Sequence, residues 1–543
     1  MYAGRIFLLL LASLLPSVLA LGPTTRRPSP ASLQGQTLHG TVSPRGVFCT
    51  RSLDMEAIKC IGYDMDYTLI DYQMEVWEER AYHYSKEHLR SKGFPVSGLS
   101  FNPELVCRGI IIDKELGNFL KVDRFGYVRR AMHGTHPLTH EEMRAKYKRL
   151  TVDLRERRWS FLNTLFSVSE GCLYAQLVDR LDSGQLLAES KPPFDEMRCS
   201  TYAQLFQAVS KSLYRAHVAS KLKEEVMADP LRFVRIDPAT AEALLDQRDA
   251  GKKLALVTNS DWVYTCKMMT NVFGPYVPAE STWRDLFDLV IVSACKPEFF
   301  GVERRPVYEI ATADGMLRET HQFVSGGAYA GGNAKMFEKA FGISGDEVLY
   351  VGDHIYSDVN MAKRGLSWRT CLIMQELETE IEALAKGQQL HRRISSILRR
   401  RSVLLSSLNE QRRELARRKS NRLPHTGDRS LPPAPRILSE VEADVQQLYR
   451  NVEECTNELQ PLLAAEGAHV SPVWGYMSRA GYADKSHLMR QIEKYADVYT
   501  SRVSNFVPYS PYAVFTSPRH TLSHDMGFTN TDELSFEDDV MSL

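Results

Sequence analysis

Cys60-Ile61-Gly62-Tyr63-Asp64-Met65-Asp66-Tyr67-Thr68-Leu69 is an apolar run that stops at two carboxylates. The approach from Ile58 to Tyr63 predicts a short buried strand, with Asp64 and Asp66 at i and i+2 just beyond it. Residues two apart in an extended segment project to the same side. Both acids are therefore expected to face one site at the strand's carboxyl end, where open α/β sheets hold their ligands. Two like charges so close are costly unless a cation or a shared proton relieves them. The pattern points to a nucleophile and an acid working beside a metal.

Three later segments repeat the arrangement. Lys252 to Val257 is a short apolar strand ending in Thr258-Asn259-Ser260-Asp261. Asp288 to Ser293 is another, followed by Ala294-Cys295-Lys296-Pro297. Glu347 to Val351 is a third, ending in Gly352-Asp353-His354-Ile355-Tyr356-Ser357-Asp358. Each segment alone could be an ordinary turn or cap. Together they deliver two carboxylates, hydroxyl and amide donors, a lysine and two more carboxylates, always at the same end of a strand.

These four segments resemble the motifs of the haloacid dehalogenase-like (HAD) phosphohydrolases, and more narrowly the cytosolic purine 5′-nucleotidases and their 5′-nucleotidase domain-containing relatives. Arg51-Ser52-Leu53, Leu116 to Asp123, Leu162 to Phe166, Trp368-Arg369-Thr370 and Tyr495-Ala496-Asp497 carry the same resemblance, over roughly residues 48–380 and again from about 470 to 525. It implies an α/β fold: a HAD-like Rossmannoid parallel sheet with an inserted α+β cap domain and a helical C-terminal extension. It also implies hydrolysis of a nucleoside 5′-monophosphate. Asp64 is the expected nucleophile, forming an aspartyl-phosphate, and Asp66 the expected acid and then base. Thr258 and Asn259 are expected to donate to phosphoryl oxygens, and Lys296 to supply positive charge. Mg²⁺ suits carboxylates, a main-chain carbonyl and waters, and falls to Asp64, the Asp66 main chain and Asp353, with Asp358 as a further ligand or water-orienting group. Alternatives within reach of the same residues are another small-phosphoester phosphatase, a phosphotransferase, or a nucleotide-sensing scaffold.

The stretch from Leu69 to Lys252 is far longer than a strand crossover needs, so a cap is expected at residues 81–245, with the core in 48–80 and 246–378. A cap closes over the substrate and excludes water. Phe166, His217 and Lys223 of the cap and Ser260 of the core are the substrate contacts the resemblance implies, Phe166 stacking on the base. Ser167, Tyr214 and Val218 stand where the purine enzymes carry asparagine, aspartate and tyrosine, which puts purine preference in doubt.

Residues 376–416 read as one long polar helix, and 439–465 as a second with Val441, Val445, Leu448, Val452, Leu459 and Leu463 on one stripe. The expectation is a helical hairpin over 379–465 with a loop at 420–436, then a segment 466–528 packed on the core and an acidic tail at 529–543. At the other end, Arg5, the apolar run Ile6–Leu15 and Val18-Leu19-Ala20 read as a signal peptide over 1–20. Residues 21–47 read as transit-like and disordered, for no acid precedes Asp54. This pair resembles the bipartite presequences of algae with secondary plastids, so plastid import is expected, with the secretory pathway as the competing route.

The 543 residues carry 67 basic and 67 acidic groups. That balance offers no footprint for nucleic acid or an anionic membrane. No stable membrane span is expected in the mature chain, and a homo-oligomer stays open. Nine dispersed cysteines without Cys-x-x-Cys argue against a disulfide scaffold. Cys295 is expected to be buried, and His354 to be a structural neighbour of the metal acids. Gly326-Gly327 and Gly331-Gly332 lack the Lys-Ser/Thr of a P-loop and predict a turn into a helix near Asn333–Phe341.

Overall fold

The computed structural model describes residues 37–38, 41–194, 199–218, 221–420, 422, 437–482 and 484–518. The expected signal segment 1–20, residues 21–36 and 39–40 of the expected transit-like segment, most of the 420–436 loop and the acidic tail lie outside the described residues. The rest of 21–47, expected to be disordered, is ordered: Thr37–Leu38 pairs with Thr41–Val42, and Val47 is buried in the core. The main sheet has ten strands: β1 Phe48–Cys49, β2 Cys60–Tyr63, β3 Lys253–Val257, β4 Leu289–Val292, β5 Val307–Ile310, β6 Leu317–Thr320, β7 Ala328–Gly331, β8 Val348–Gly352, β9 Arg369–Ile373 and β10 Val498–Thr500. Their spatial order is β6-β5-β7-β4-β3-β2-β8-β9-β10-β1. The run from β7 to β10 is parallel, and the edges β5, β6 and β1 are antiparallel.

The fold is thus α/β with a large, mostly parallel sheet. β2, β4 and β8 are buried at every position, which is what strands covered on both faces require. From β2 the chain builds outward through β3, β4 and β7, then crosses back to place β8 on the other side of β2. The topological switch therefore lies between β2 and β8, beside Asp64.

Between β2 and β3 the chain forms a second, five-stranded antiparallel sheet from strands Ile111–Asp113, Asn118–Val122, Val128–His133, His136–Pro137 and Trp159–Phe161. Helices Met74–Ser91, Val168–Asp182 and Tyr202–Val218 accompany it, packed through Tyr82, Leu89, Leu173, Leu177, Leu205 and Val209. The helix Pro238–Asp249 already belongs to the main body, its Ala241, Ala243 and Leu244 packing with Leu254 and Phe506.

Glu78 sits wholly buried in the first of these helices and accepts the Ser169 N–H at 2.8 Å. Burial pushes its carboxyl up to about 8. Below pH 4.5 both folded and unfolded chains hold the proton. Between 4.5 and 8 only the folded state does, so stability falls as pH rises and the loss is complete above 8. Glu78→Gln keeps the acceptor without the charge. It is expected to raise the melting midpoint by at least about 3 °C at pH 8.5 and to change little at pH 4.5, as read by scanning calorimetry at both values.

The helical region differs from the single helix expected over 376–416. It consists of helix Glu376–Lys386 and helix Gln388–Lys419, interrupted at Gly387. Without a side chain, Gly387 lets the Tyr476 hydroxyl approach within 3.2 Å of where a Cβ would stand. Helix Leu438–Ala465 returns antiparallel, as the pairs Lys419–Glu442 and Arg393–Glu458 require. Ile394, Ile397, Cys455 and Leu459 form its seam. Among the described residues no helix is long and apolar enough to cross a membrane.

The C-terminal segment does more than pack on the body. It supplies β10, and it carries Asp497, fully buried. Both Asp497 oxygens accept from Lys363 Nζ at 2.8 and 2.7 Å, Oδ2 accepts the Thr370 N–H at 2.9 Å, and Arg369 Nε lies 3.1 Å from Oδ1. Removing one partner of a buried charge network typically costs about 3–5 kcal/mol. Asp497→Ala is expected to lose stability in that range by denaturant unfolding; a change within error would mean the network is idle.

Candidate active site

The loop after β2 begins with Asp64, whose N–H donates to Val351 O of β8 at 2.9 Å, pinning it at the strand end. Lys296 Nζ lies 2.7 Å from Asp64 Oδ1 and 2.9 Å from Asp358 Oδ1. Asp64, Asp353 and Asp358 each offer an oxygen within 4.8 Å of the others, and all three are buried.

Two glycines make this possible. At Gly62 a Cβ would meet the Tyr350 ring at 2.9 Å. The bare backbone lets Tyr350 reach across, accept from Lys296 Nζ and donate to Val257 O, each at 3.1 Å. At Gly352 a Cβ would meet Asp358 at 2.6 Å, so only glycine lets Asp358 fold back over the end of β8. The chain then turns through a π-helical stretch, Ile355–Asn360, a geometry often found at functional sites. His354 Nδ1 accepts the Tyr356 and Ser357 N–H groups at 3.2 and 3.1 Å, capping that turn. Burial drops its imidazole to about 4, so the ring is neutral and fit to accept.

The loops after β3 and β4 interlock. Asn259 Oδ1 accepts the Lys296 N–H at 2.6 Å and Nδ2 donates to Lys296 O at 3.1 Å. The Asn259 amide thus holds the Lys296 backbone from both sides, with one Nδ2 hydrogen left over. Ala294 N–H donates to Thr258 O and Ser293 N–H to Ser260 O, at 3.0 and 2.8 Å. Ser293 and Cys295 hold left-handed φ of 48° and 57°, strain that this clamp compensates. Cys295 is exposed, correcting the expectation that it is buried: the left-handed turn that drives Lys296 inward leaves the preceding residue at the surface.

Asp66 stands apart from the acid triad. Its Oδ1 accepts from Tyr72 OH and its Oδ2 from Ser260 Oγ, both at 2.7 Å. Lys223 Nζ lies 3.4 Å from Ser260 Oγ, 3.6 Å from Asp261 Oδ2 and 4.6 Å from the centre of the Tyr264 ring. Phe166 packs edge-on against Tyr67, with ring centres 4.5 Å apart. His217 falls in the helix Tyr202–Val218, but its side chain lies outside the described residues; Tyr214, nearby, is exposed.

The electrostatics are those of a site built for a cation. Burial, reinforced by Asp358, Asp353 and Asp66 and opposed by Lys296, holds the Asp64 carboxyl well above the usual carboxylate range. Burial and the neighbouring Asp358 push Asp353 up to about 7. Burial works against the charge on Lys296, but Asp358 and Asp64 outweigh it and raise the ammonium. One lysine among three convergent carboxylates leaves excess negative charge, and the all-oxygen donor set fits a hard divalent ion.

Against this geometry, the sequence profile of the 5′ nucleotidase family matches residues 47–527. The chain belongs to that family. A 5′-nucleotidase domain-containing protein of Dictyostelium discoideum is 24% identical over 501 residues, covering 89% of this chain and 76% of the relative. Family membership implies a phosphoric monoester hydrolase, and the acid cluster suits the metal dependence common in such enzymes.

Sequence reasoning missed several residues that shape this nucleotidase-family site. Arg108, buried, donates Nη2 to Asp353 O and Nε to Asn163 O at 3.2 Å, fixing the acid's backbone. A lone arginine in the apolar run Val106–Ile112 was its signal. Thr164 Oγ1 donates to Asp353 Oδ2 at 3.3 Å. Tyr72 and Tyr264, hydroxyls 2.8 Å apart, carried no local signal at all.

Proposed function

We propose that the protein is a Mg²⁺-dependent 5′-nucleotidase of HAD type that hydrolyses nucleoside 5′-monophosphates through an aspartyl-phosphate. The observation that carries this reading is the buried Asp64 carboxylate at the carboxyl end of the central strand, with Lys296 at 2.7 Å and Asp353 and Asp358 converging on the same point. Asp64, Asp353 and Asp358, with the Asp66 main chain, would hold the ion, which supplies charge neutralisation for the transferring phosphoryl group. Asp64 attacks phosphorus, the phosphorus–oxygen bond to the nucleoside breaks, and Asp66 donates a proton to the departing 5′-oxygen. Water then attacks the phosphoryl group, giving its proton to Asp66 and releasing Asp64 and phosphate.

The remaining groups position these atoms. Tyr72 and Ser260 hold Asp66 from both oxygens. Thr258 Oγ1, which accepts the Ser260 N–H at 3.1 Å, keeps its own hydrogen for a phosphoryl oxygen. Asn259 clamps the Lys296 backbone and offers its remaining Nδ2 hydrogen to a phosphoryl oxygen, while the Lys296 ammonium faces the charge developing on phosphorus. The unit inserted between β2 and β3 acts as the cap, with Lys223 and Phe166 on the nucleoside side. The amino-terminal 47 residues direct the chain to a plastid.

The test is phosphate release by the purified chain from nucleoside monophosphates and sugar phosphates, with Mg²⁺ and with chelator. Turnover of at least one nucleoside monophosphate, abolished by chelation, is expected. Preference for sugar phosphates, or full activity in chelator, would overturn the reading.

A further inference from the structure

Hydroxyls grip Asp66 from both sides, and on one side the grip extends a residue beyond the group that touches the acid. Tyr72 OH donates to Asp66 Oδ1 and Ser260 Oγ donates to Oδ2, both at 2.7 Å. Behind Tyr72, the Tyr264 hydroxyl lies 2.8 Å from the Tyr72 oxygen. Both rings are buried, and burial, reinforced by Asp66, holds both phenols well above their usual range. Each therefore keeps its single hydrogen. The Tyr72 hydrogen is spent on Asp66, so the one between the two rings belongs to Tyr264. Donation runs from Tyr264 to Tyr72 to Asp66.

Tyr264 is itself held in place. It stands in the first turn of helix Trp262–Phe273, where Asp261 Oδ1 accepts its N–H at 2.9 Å. Lys223 Nζ, from the inserted unit, lies 4.6 Å from its ring centre and 3.4 Å from Ser260 Oγ, touching both arms of the grip. When Asp66 gives up a proton it becomes a carboxylate, and hydrogen bonds to a charged acceptor are about twice as strong as neutral ones. The bonds from Tyr72 and Ser260 thus tighten as the proton leaves, and an interaction stronger in the transition state raises the rate. A donor behind Tyr72 polarises its O–H and strengthens the bond in front.

We propose that Tyr264 is a positioning residue for proton delivery: acting through Tyr72, its hydroxyl stabilises the Asp66 carboxylate left when the Asp66 proton passes to the departing ester oxygen. The inference rests on the reaction proposed above. Its test compares kcat/KM for a nucleoside monophosphate with kcat/KM for p-nitrophenyl phosphate, using the full chain with Mg²⁺. Both constants cover only the steps up to departure of the leaving group. A nucleoside alkoxide needs the Asp66 proton to leave, and p-nitrophenolate needs none. Tyr72→Phe is expected to raise the p-nitrophenyl-to-nucleotide ratio at least about tenfold, and Tyr264→Phe at least about threefold. With Tyr72→Phe already present, Tyr264→Phe is expected to move the ratio by less than about twofold, because the relay is already cut. Loss of packing alone slows both substrates alike and leaves the ratio where it was. An unmoved ratio in Tyr264→Phe, or a full further shift in the double variant, would overturn the proposal while the reaction stands. A wild-type chain that releases no phosphate from any nucleoside monophosphate would overturn the reaction, and this inference with it.

Discussion

Asp64→Asn is expected to lower phosphate release by at least about 10³-fold while the protein still folds, because deleting the group that bonds to the substrate removes the whole covalent route. Asparagine conserves volume, and its Oδ1 can still accept the Met65 N–H that Asp64 takes at 2.7 Å. The melting midpoint should stay within a few degrees of wild type, since one carboxylate fewer eases the crowding with Asp353 and Asp358 as one Lys296 contact is lost. Phosphate release and thermal denaturation followed by circular dichroism check both halves. A folded variant retaining a tenth of the wild-type rate would exclude Asp64 as nucleophile.

Lys296→Met carries the second large effect, and it should appear in stability as well as in rate. The ammonium is only 2% exposed and touches Asp64, Asp358 and Tyr350. Methionine fills the space without the charge, so the two acids lose their protein cation. Stripping one partner from a buried pair costs about 3–5 kcal/mol, and that penalty is expected in chelator. Added Mg²⁺ should recover part of it, because the ion neutralises the same carboxylates. Turnover with saturating Mg²⁺ should still fall by about 10²-fold, the loss expected when a transition-state charge donor is removed. Denaturant midpoints with and without Mg²⁺, beside turnover, separate the two roles. Equal destabilisation under both conditions would argue that these acids do not share an ion.

The stretches that mark the site were legible because each is local. An apolar run ending in a carboxylate, a hydroxyl or a lysine reads directly as a buried strand with a polar tip, and all four runs are strands of one sheet. The acids at 64, 353 and 358 and the lysine at 296 come together in space. Roles resting on contacts between distant segments were not legible. Asn259 reads as a phosphoryl donor in sequence; that its amide also clamps the Lys296 backbone is visible only once β3 and β4 lie side by side. Cys295 reads as a buried cysteine, but the left-handed turn that carries Lys296 inward puts it outside. The helix expected over 376–416 has continuous helical periodicity, which cannot register that Tyr476 approaches at Gly387.

The sequence by itself determined which residues sit at strand ends, since burial on both faces of a parallel strand writes an uninterrupted apolar run and leaves polar groups only where it stops. It also determined that a large unit stands between the first two motifs, through length alone. Tertiary structure decided that β3 and β8 flank β2, that Tyr350 crosses Gly62 to hold Lys296, that Arg108 reaches Asp353 from the inserted unit, and that the C-terminal segment supplies a strand. Those depend on strand order and on hydrogen bonds between residues far apart in the chain, and local periodicity carries no record of either.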